Sequence, residues 1–261
     1  MNILIEELTR EAARQAYDAG ATVILPTGSI EQHGPHLPVF TDTLLVTHVA
    51  REAARLVASR QSGRSGPPPV LVAPTLHTGV SHHHLAFAGT MSLPATVYVD
   101  VVSELVRGLA GHGVARILIL NGHGGNEHPN GTVVQRMVHD EGVPVVIASA
   151  SYWTLARDAM QALGVYTRYE HVPGHAGDFE TALVLALRPD LVHLEARRDP
   201  LAILQGLAHT ARPGAFARAG GTTDNAAGAD GEFGKLILEA AVSSVADYLE
   251  AFAKVPPASG S

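Results

Sequence analysis

Cysteine is absent from this 261-residue chain. With no thiol there is neither a disulfide nor a thiolate metal site, so any bound metal must be held by His, Asp or Glu. Long apolar runs are also missing: no stretch of roughly 18 or more hydrophobic residues occurs, and no membrane-spanning helix is expected. Met1 to Arg10 carries Glu6 and Glu7 instead of a basic start followed by an apolar stretch, and the expected location is cytoplasmic. Clustered positive charge is scarce, with nothing beyond short pairs such as Arg197-Arg198, and the formal net charge is -7. Neither nucleic-acid nor membrane-surface binding is therefore expected. Charged residues make up only 16%, against 46% hydrophobic, which fits a packed globular chain and excludes extensive disorder. What the chain does have is histidine: 15 residues, nearly matching the 18 Lys plus Arg. Histidine is the commonest metal ligand and a general acid/base, so the placement of these residues carries the functional question.

Val23 to Leu25 and Val70 to Val72 are short apolar runs, and Arg116 to Leu120 and Val143 to Ala148 are longer ones; all read as buried strands. Helical patterns run over Thr43 to Ser59, Ala95 to His112, Pro129 to Glu141, Phe179 to Leu187 and Glu232 to Phe252. Strands alternating with helices predict an α/β fold, a single three-layer α/β/α domain over residues 1–255 with a mostly parallel sheet. Gln61 to Pro69 reads as an exposed connector and Pro256 to Ser261 as a frayed tail. Gly214 to Gly234 reads either as an ordered loop near a site or as a lid. No internal repeat is visible.

Parallel sheets bind ligands outside the carboxyl ends of their strands, and the polar motifs fall there. The first strand runs into Pro26 to Pro38, containing Glu31-Gln32-His33, whose one-residue spacing lets Glu31 and His33 point the same way in an extended loop. Asp42 follows at a helix start, where it could equally be a cap. The strand Ile117 to Leu120 runs into Asn121-Gly122-His123-Gly124-Gly125-Asn126. Gly122 and Gly124 match the first two positions of a dinucleotide fingerprint, but Glu127 stands at the third, and His123 is better explained as a ligand. In His175 to Thr181 the carboxylates of Asp178 and Glu180 open a helix, where acidic residues also favour the helix dipole. One short turn cannot aim His175, Asp178 and Glu180 at one point, and His175 with Glu180 is the favoured pair. Of the tract His82-His83-His84, one or two residues at most can share a site, His84 first. His48, His112, His139, His193 and His209 read as packing or surface residues. Trp153, the single tryptophan, either walls a substrate pocket or packs in the core.

Pro26 to Pro38 with Asp42, Asn121 to Asn126, and His175 to Thr181, in that order, closely resemble the creatininase (creatinine amidohydrolase) family, over about Val23 to Leu187. The resemblance implies a creatininase-like fold and a centre of two divalent metal ions per subunit, Zn, Mn or Fe. It implies Glu31, His33, Asp42 and His123 as ligands, with Asp42 bridging, and His175 as the proton-transfer residue. Creatininase itself has Tyr-Glu where this chain has Gly124-Gly125, and that Glu is a ligand; Glu180 is inferred to replace it, serving in catalysis as well. His84, Gly124, Gly125 and Trp153 are expected at the substrate. Gly221 to Asn225 lacks the Gly-Asp-Pro typical of the family, which implies an altered pocket rim.

The expected activity is hydrolysis of a non-peptide carbon–nitrogen bond, in a cyclic amide, a formamide or a similar small molecule, through a metal-bridging hydroxide. The alternatives are a peptidase of the mycofactocin-maturation type and a non-catalytic metal- or ligand-binding homologue. A homo-oligomer, possibly a hexamer, is implied by the resemblance alone.

Overall fold

The computed structural model describes residues 2–61, 68–198, 214–218 and 220–258. Four strands, β1 (Thr22–Thr27), β2 (Val70–Val72), β3 (Arg116–Asn121) and β4 (Val146–Ser151), form a parallel sheet in the order β2-β1-β3-β4. The two central strands, β1 and β3, are buried at every residue. Burial on both faces is why they read as continuous apolar runs without polar alternation. In their shared register Thr22 lies opposite Arg116 and Thr27 opposite Asn121. The two strands therefore end level, and the loops that leave them start side by side.

The helices are α1 (Arg10–Asp18), α2 (Thr41–Gln61), α3 (Ala95–Gly111), α4 (Glu127–Gln135), α5 (Tyr152–Leu155), α6 (Arg157–Ala162), α7 (Val165–Arg168), α8 (Asp178–Leu187), α9 (Ala215–Arg218) and α10 (Gly231–Phe252). Strand side chains alternate between faces and divide the core in two. Ile24, Val70, Val72, Leu118 and Leu120 pack with α2, α8 and α10. Val23, Leu25, Leu71, Ile117 and Ile119 pack with α3 and α4 on the opposite face. The result is the expected three-layer α/β/α arrangement. No helix among the described residues is long and apolar enough to cross a membrane.

Two elements differ from their sequence-based limits. β4 starts at Val146, not Val143, because Val143 and Val145 close a turn: the Val143 N–H donates to the Met137 carbonyl and the Val145 N–H to that of Val143. The helix expected from Pro129 begins at Glu127 and changes at Arg136 into a π-helical turn, Arg136–Asp140. Pro129 falls in the first turn, where no helical hydrogen bond needs its missing N–H. Residues 62–67 of the expected connector, 259–261 of the expected tail, and His209 lie outside the described residues.

Candidate metal centre

The site is assembled where β1 and β3 end. After β1 the chain stays extended: the Glu31 N–H donates to the Val39 carbonyl at 2.8 Å, and Ile30 bridges to Met91. Glu31 and His33 are both buried and turned to the same interior. The first turn of α2 brings Asp42 to them, anchored by the Thr43 hydroxyl donating to the Ser29 carbonyl at 3.0 Å. Close approach of α2 depends on Gly122, where a Cβ would stand 2.6 Å from Val46 Cβ and 2.9 Å from the Asp42 carbonyl oxygen. His123 then leaves β3, the loop before α8 supplies His175, and the first turn of α8 supplies Glu180.

Each of the two central imidazoles gives one nitrogen to a backbone carbonyl and the other to Asp42. His33 Nδ1 meets the Glu31 carbonyl at 3.0 Å; its Nε2 lies 3.1 Å from Asp42 Oδ1 and 3.7 Å from Glu180 Oε1. His123 Nε2 meets the Val80 carbonyl at 3.1 Å, and its Nδ1 lies 3.0 Å from Asp42 Oδ2. A carbonyl is an acceptor only, so those ring nitrogens carry hydrogen and the opposite ones face Asp42. Glu31 Oε2 is 3.4 Å from His123 Nε2, and its Oε1 is 3.5 Å from both His84 Nε2 and His175 Nδ1. Glu180 is fixed by accepting the Ala176 N–H at 2.6 Å, which the left-handed backbone of Ala176 (φ 56°) turns toward it.

Two groups of ligand atoms, each within 4.8 Å of one another, share Asp42: Glu31, Asp42 and His123 in one, and His33, Asp42 and Glu180 in the other. Glu31 Oε2 and Asp42 Oδ2 are buried without a hydrogen-bond partner. An unpartnered buried carboxylate oxygen is costly, and two at one point among imidazoles form a cradle for positive charge. The donors are nitrogen and oxygen only, a set suited to first-row divalent ions. The residues present thus fit a divalent metal.

The electrostatics express the same crowding. Burial pushes the Glu31 carboxyl up to about 7, against the pull of His123. Burial works the other way on Asp42's partners but is outweighed there: Glu31 and Asp42 raise His123 to about 9, and Asp42 with Glu180 holds His33 well above the usual imidazole range. Asp42, although buried, is held well below the ordinary carboxylate range by His33 and His123. His175 is pushed far down by burial and by His33, and His84 by burial and by His175.

Of the expected site residues, the structure brings together Glu31, His33, Asp42, His123, His175, Glu180 and His84. The Asp42 carboxylate, at the start of α2, faces two imidazoles. Gly125 has no room for a ligand-bearing side chain, since a Cβ there would stand 2.3 Å from the Val80 carbonyl oxygen and 2.5 Å from His123 Nε2; Gly124 faces open space. Trp153 belongs to the core, edge-on to Tyr152 at 5.0 Å. It also edges a cavity of about 490 Å³ with Glu127, Arg157 and Tyr166, a lining that includes none of the clustered carboxylates and imidazoles. The described part of Gly214 to Gly234 packs on the site: Phe216 stands edge-on to His84 at 4.6 Å, and the Thr223 N–H donates to the His175 carbonyl at 3.1 Å. Sequence reasoning passed over Gln32, Phe216, Ser81, whose hydroxyl lies 3.2 Å from His123 Nε2, and Asn126, which accepts the Val80 N–H and donates to the Gly28 carbonyl, each at 3.0 Å. Gln32, lying between two motif residues, was the one with a local signal.

Fold and site define a three-layer α/β/α protein with a carboxylate–imidazole centre suited to divalent cations. The creatininase family profile, described as creatinine amidohydrolase, matches residues 6–249. Creatinine amidohydrolase of Pseudomonas putida is 31% identical over 95% of this chain and 96% of its own length. A mycofactocin precursor peptide peptidase of Mycobacterium ulcerans is 33% identical over 72% of this chain and 67% of its own. Among solved structures, a manganese creatininase has a TM-score of 0.78 at 30% identity, covering 97% of this chain and 99% of that one. A Zn-Zn form of a creatininase variant also has a TM-score of 0.78, at 29% identity, with 97% and 99% covered. The chain belongs to the creatininase family, and it is a hydrolase acting on carbon–nitrogen bonds.

Proposed function

We propose that the protein is a dinuclear metal-dependent amidohydrolase that cleaves a non-peptide carbon–nitrogen bond in a small cyclic amide, formamide or similar substrate. One observation carries the reading: the two oxygens of Asp42 face different imidazoles, and Asp42 is common to two groups of potential ligand residues. Glu31 and His123 would hold one divalent ion and His33 and Glu180 the other, with Asp42 available to both. The manganese and Zn-Zn forms of the related structures support Mn or Zn as the metal. Bound there, two divalent cations would activate a water and polarise the substrate carbonyl.

The remaining steps fall to side chains. His175, kept neutral by burial and by His33, can take a proton from the attacking water at Nδ1, the nitrogen turned to Glu31, and return it to the leaving nitrogen. Glu180, held by the Ala176 N–H, keeps its other oxygen toward His33. The likeness to the mycofactocin precursor peptide peptidase supports a second reading, a peptidase, for which the open space at Gly124 leaves room.

Assaying creatinine, other cyclic amides, formamides and short peptides with metal-loaded, chelated and reconstituted protein distinguishes these readings. The expected result is hydrolysis of a non-peptide amide that chelation abolishes and Zn or Mn restores. Turnover of peptides alone would select the peptidase. Hydrolysis that persists after complete metal removal would contradict both, and bound metal without turnover of any substrate would point to a non-catalytic homologue.

A further inference from the structure

Gln32 lies between two proposed ligands, yet its side chain turns away from them. Its amide orientation is fixed at both ends. Oε1 accepts the Gly34 N–H at 2.9 Å, and Nε2 donates to the Gly221 carbonyl at 2.5 Å. A flipped amide would set an N–H against the Gly34 N–H and an oxygen against the Gly221 carbonyl, so the assignment is unambiguous.

The amide nitrogen has three neighbours but only two hydrogens. Besides the Gly221 carbonyl, His84 Nδ1 and His175 Nε2 each lie 2.9 Å away, from rings stacked at 4.4 Å. Only His175 has another partner, because its Nε2 also lies 3.0 Å from the Gln32 backbone carbonyl. The arrangement that satisfies most groups is then determined. His175 Nε2–H donates to the Gln32 carbonyl, and the second amide hydrogen goes to His84 Nδ1. His84 must carry its own hydrogen on Nε2, facing Glu31 Oε1 at 3.5 Å, and His175 is left with a bare Nδ1 facing the same oxygen at 3.5 Å.

We propose that Gln32 is a positioning residue that sorts these two imidazoles, so that His84 presents a hydrogen and His175 a lone pair to the centre. His84 is then a donor that orients Glu31 and not a metal ligand, although its atoms fall within ligand distance of Glu31 and His83. The same amide ties the Gly221 segment to His84. The proposal concerns the site assigned above, but it rests on hydrogen-bond geometry, and its test reads tautomers independently of turnover.

The test is long-range ¹⁵N–¹H NMR of the full-length zinc-loaded protein with ¹⁵N-labelled histidine, the two rings being assigned from His84→Gln and His175→Gln. The expected wild-type spectrum has both rings protonated at Nε2 and unprotonated at Nδ1. Gln32→Glu keeps an acceptor for Gly34 but sets an acceptor against both the Gly221 carbonyl and His84, so the Gly221 contact is lost and His84 should move its hydrogen to Nδ1 while His175, held by the backbone carbonyl, stays unchanged. A merely structural role for Gln32 would not invert one ring selectively. Nδ1–H on His84 in the wild type, or no change on His84 in Gln32→Glu, would overturn the proposal. If Gln32→Glu does not fold, the wild-type spectrum alone decides.

Discussion

At the scale of single residues, the centre is governed by what stands at Gly125. Its backbone is pressed against Val80 and His123, so this chain cannot carry a ligand there, and besides Asp42 a second carboxylate, Glu180, faces His33 at 3.7 Å. Gly125→Ala should destabilise the protein by about 1–3 kcal/mol through overpacking. Gly124→Ala, in open space, should stay within about 0.5 kcal/mol of wild type. Urea unfolding of the two variants side by side checks this, and equal costs would contradict the packing account. The residues legible in the sequence were those in motif spacing: Glu31, His33, Asp42 and His123. Gln32 and Phe216 act through contacts with residues far along the chain, across 52 positions between Gln32 and His84, and no local pattern records such contacts.

At the scale of elements, level strand ends and one helix start do the positioning. β1 and β3 finish in register, and α2 drops its first turn against Gly122. Gly122→Ala should push that turn away from β3, moving Asp42 while leaving every proposed ligand in the sequence. Weaker metal binding by about tenfold or more is expected, as for other changes behind a ligand. Titration with a competing chelator measures it, and unchanged affinity in a folded variant would show that α2 does not need this approach. The central strands were legible because burial on both faces leaves unbroken apolar runs. The start of β4 was not, because Val143 and Val145 are equally apolar but serve the turn after a π-helical segment. Hydrophobicity does not distinguish a strand from a packed turn.

At the scale of the whole molecule, the metal-free protein concentrates competing charges in its interior, and its stability must follow pH accordingly. His123 is raised from 6.5 to about 9 and Glu31 from 4.5 to about 7. Folded-state values above the unfolded ones mean stability that is present at low pH and lost as pH rises, for Glu31 through about 7 and for His123 between 6.5 and 9. The depressed His84 and His175 act oppositely, favouring the fold above the unfolded imidazole value and opposing it below. Metal-free protein should therefore lose stability from about pH 7 to 9, a loss that bound cations, replacing the protons, should suppress. Denaturant unfolding of both forms across that range checks the sign; a metal-free form that gains stability toward pH 9 would contradict it. The central claim, two ions sharing Asp42, is tested most directly by counting metal in purified, metal-equilibrated protein by elemental analysis. The account predicts about two ions per chain in the wild type, about one in Glu180→Gln, and loss of both in Asp42→Ala. A wild type saturating at one ion, or an Asp42→Ala variant that keeps its metal, would contradict it.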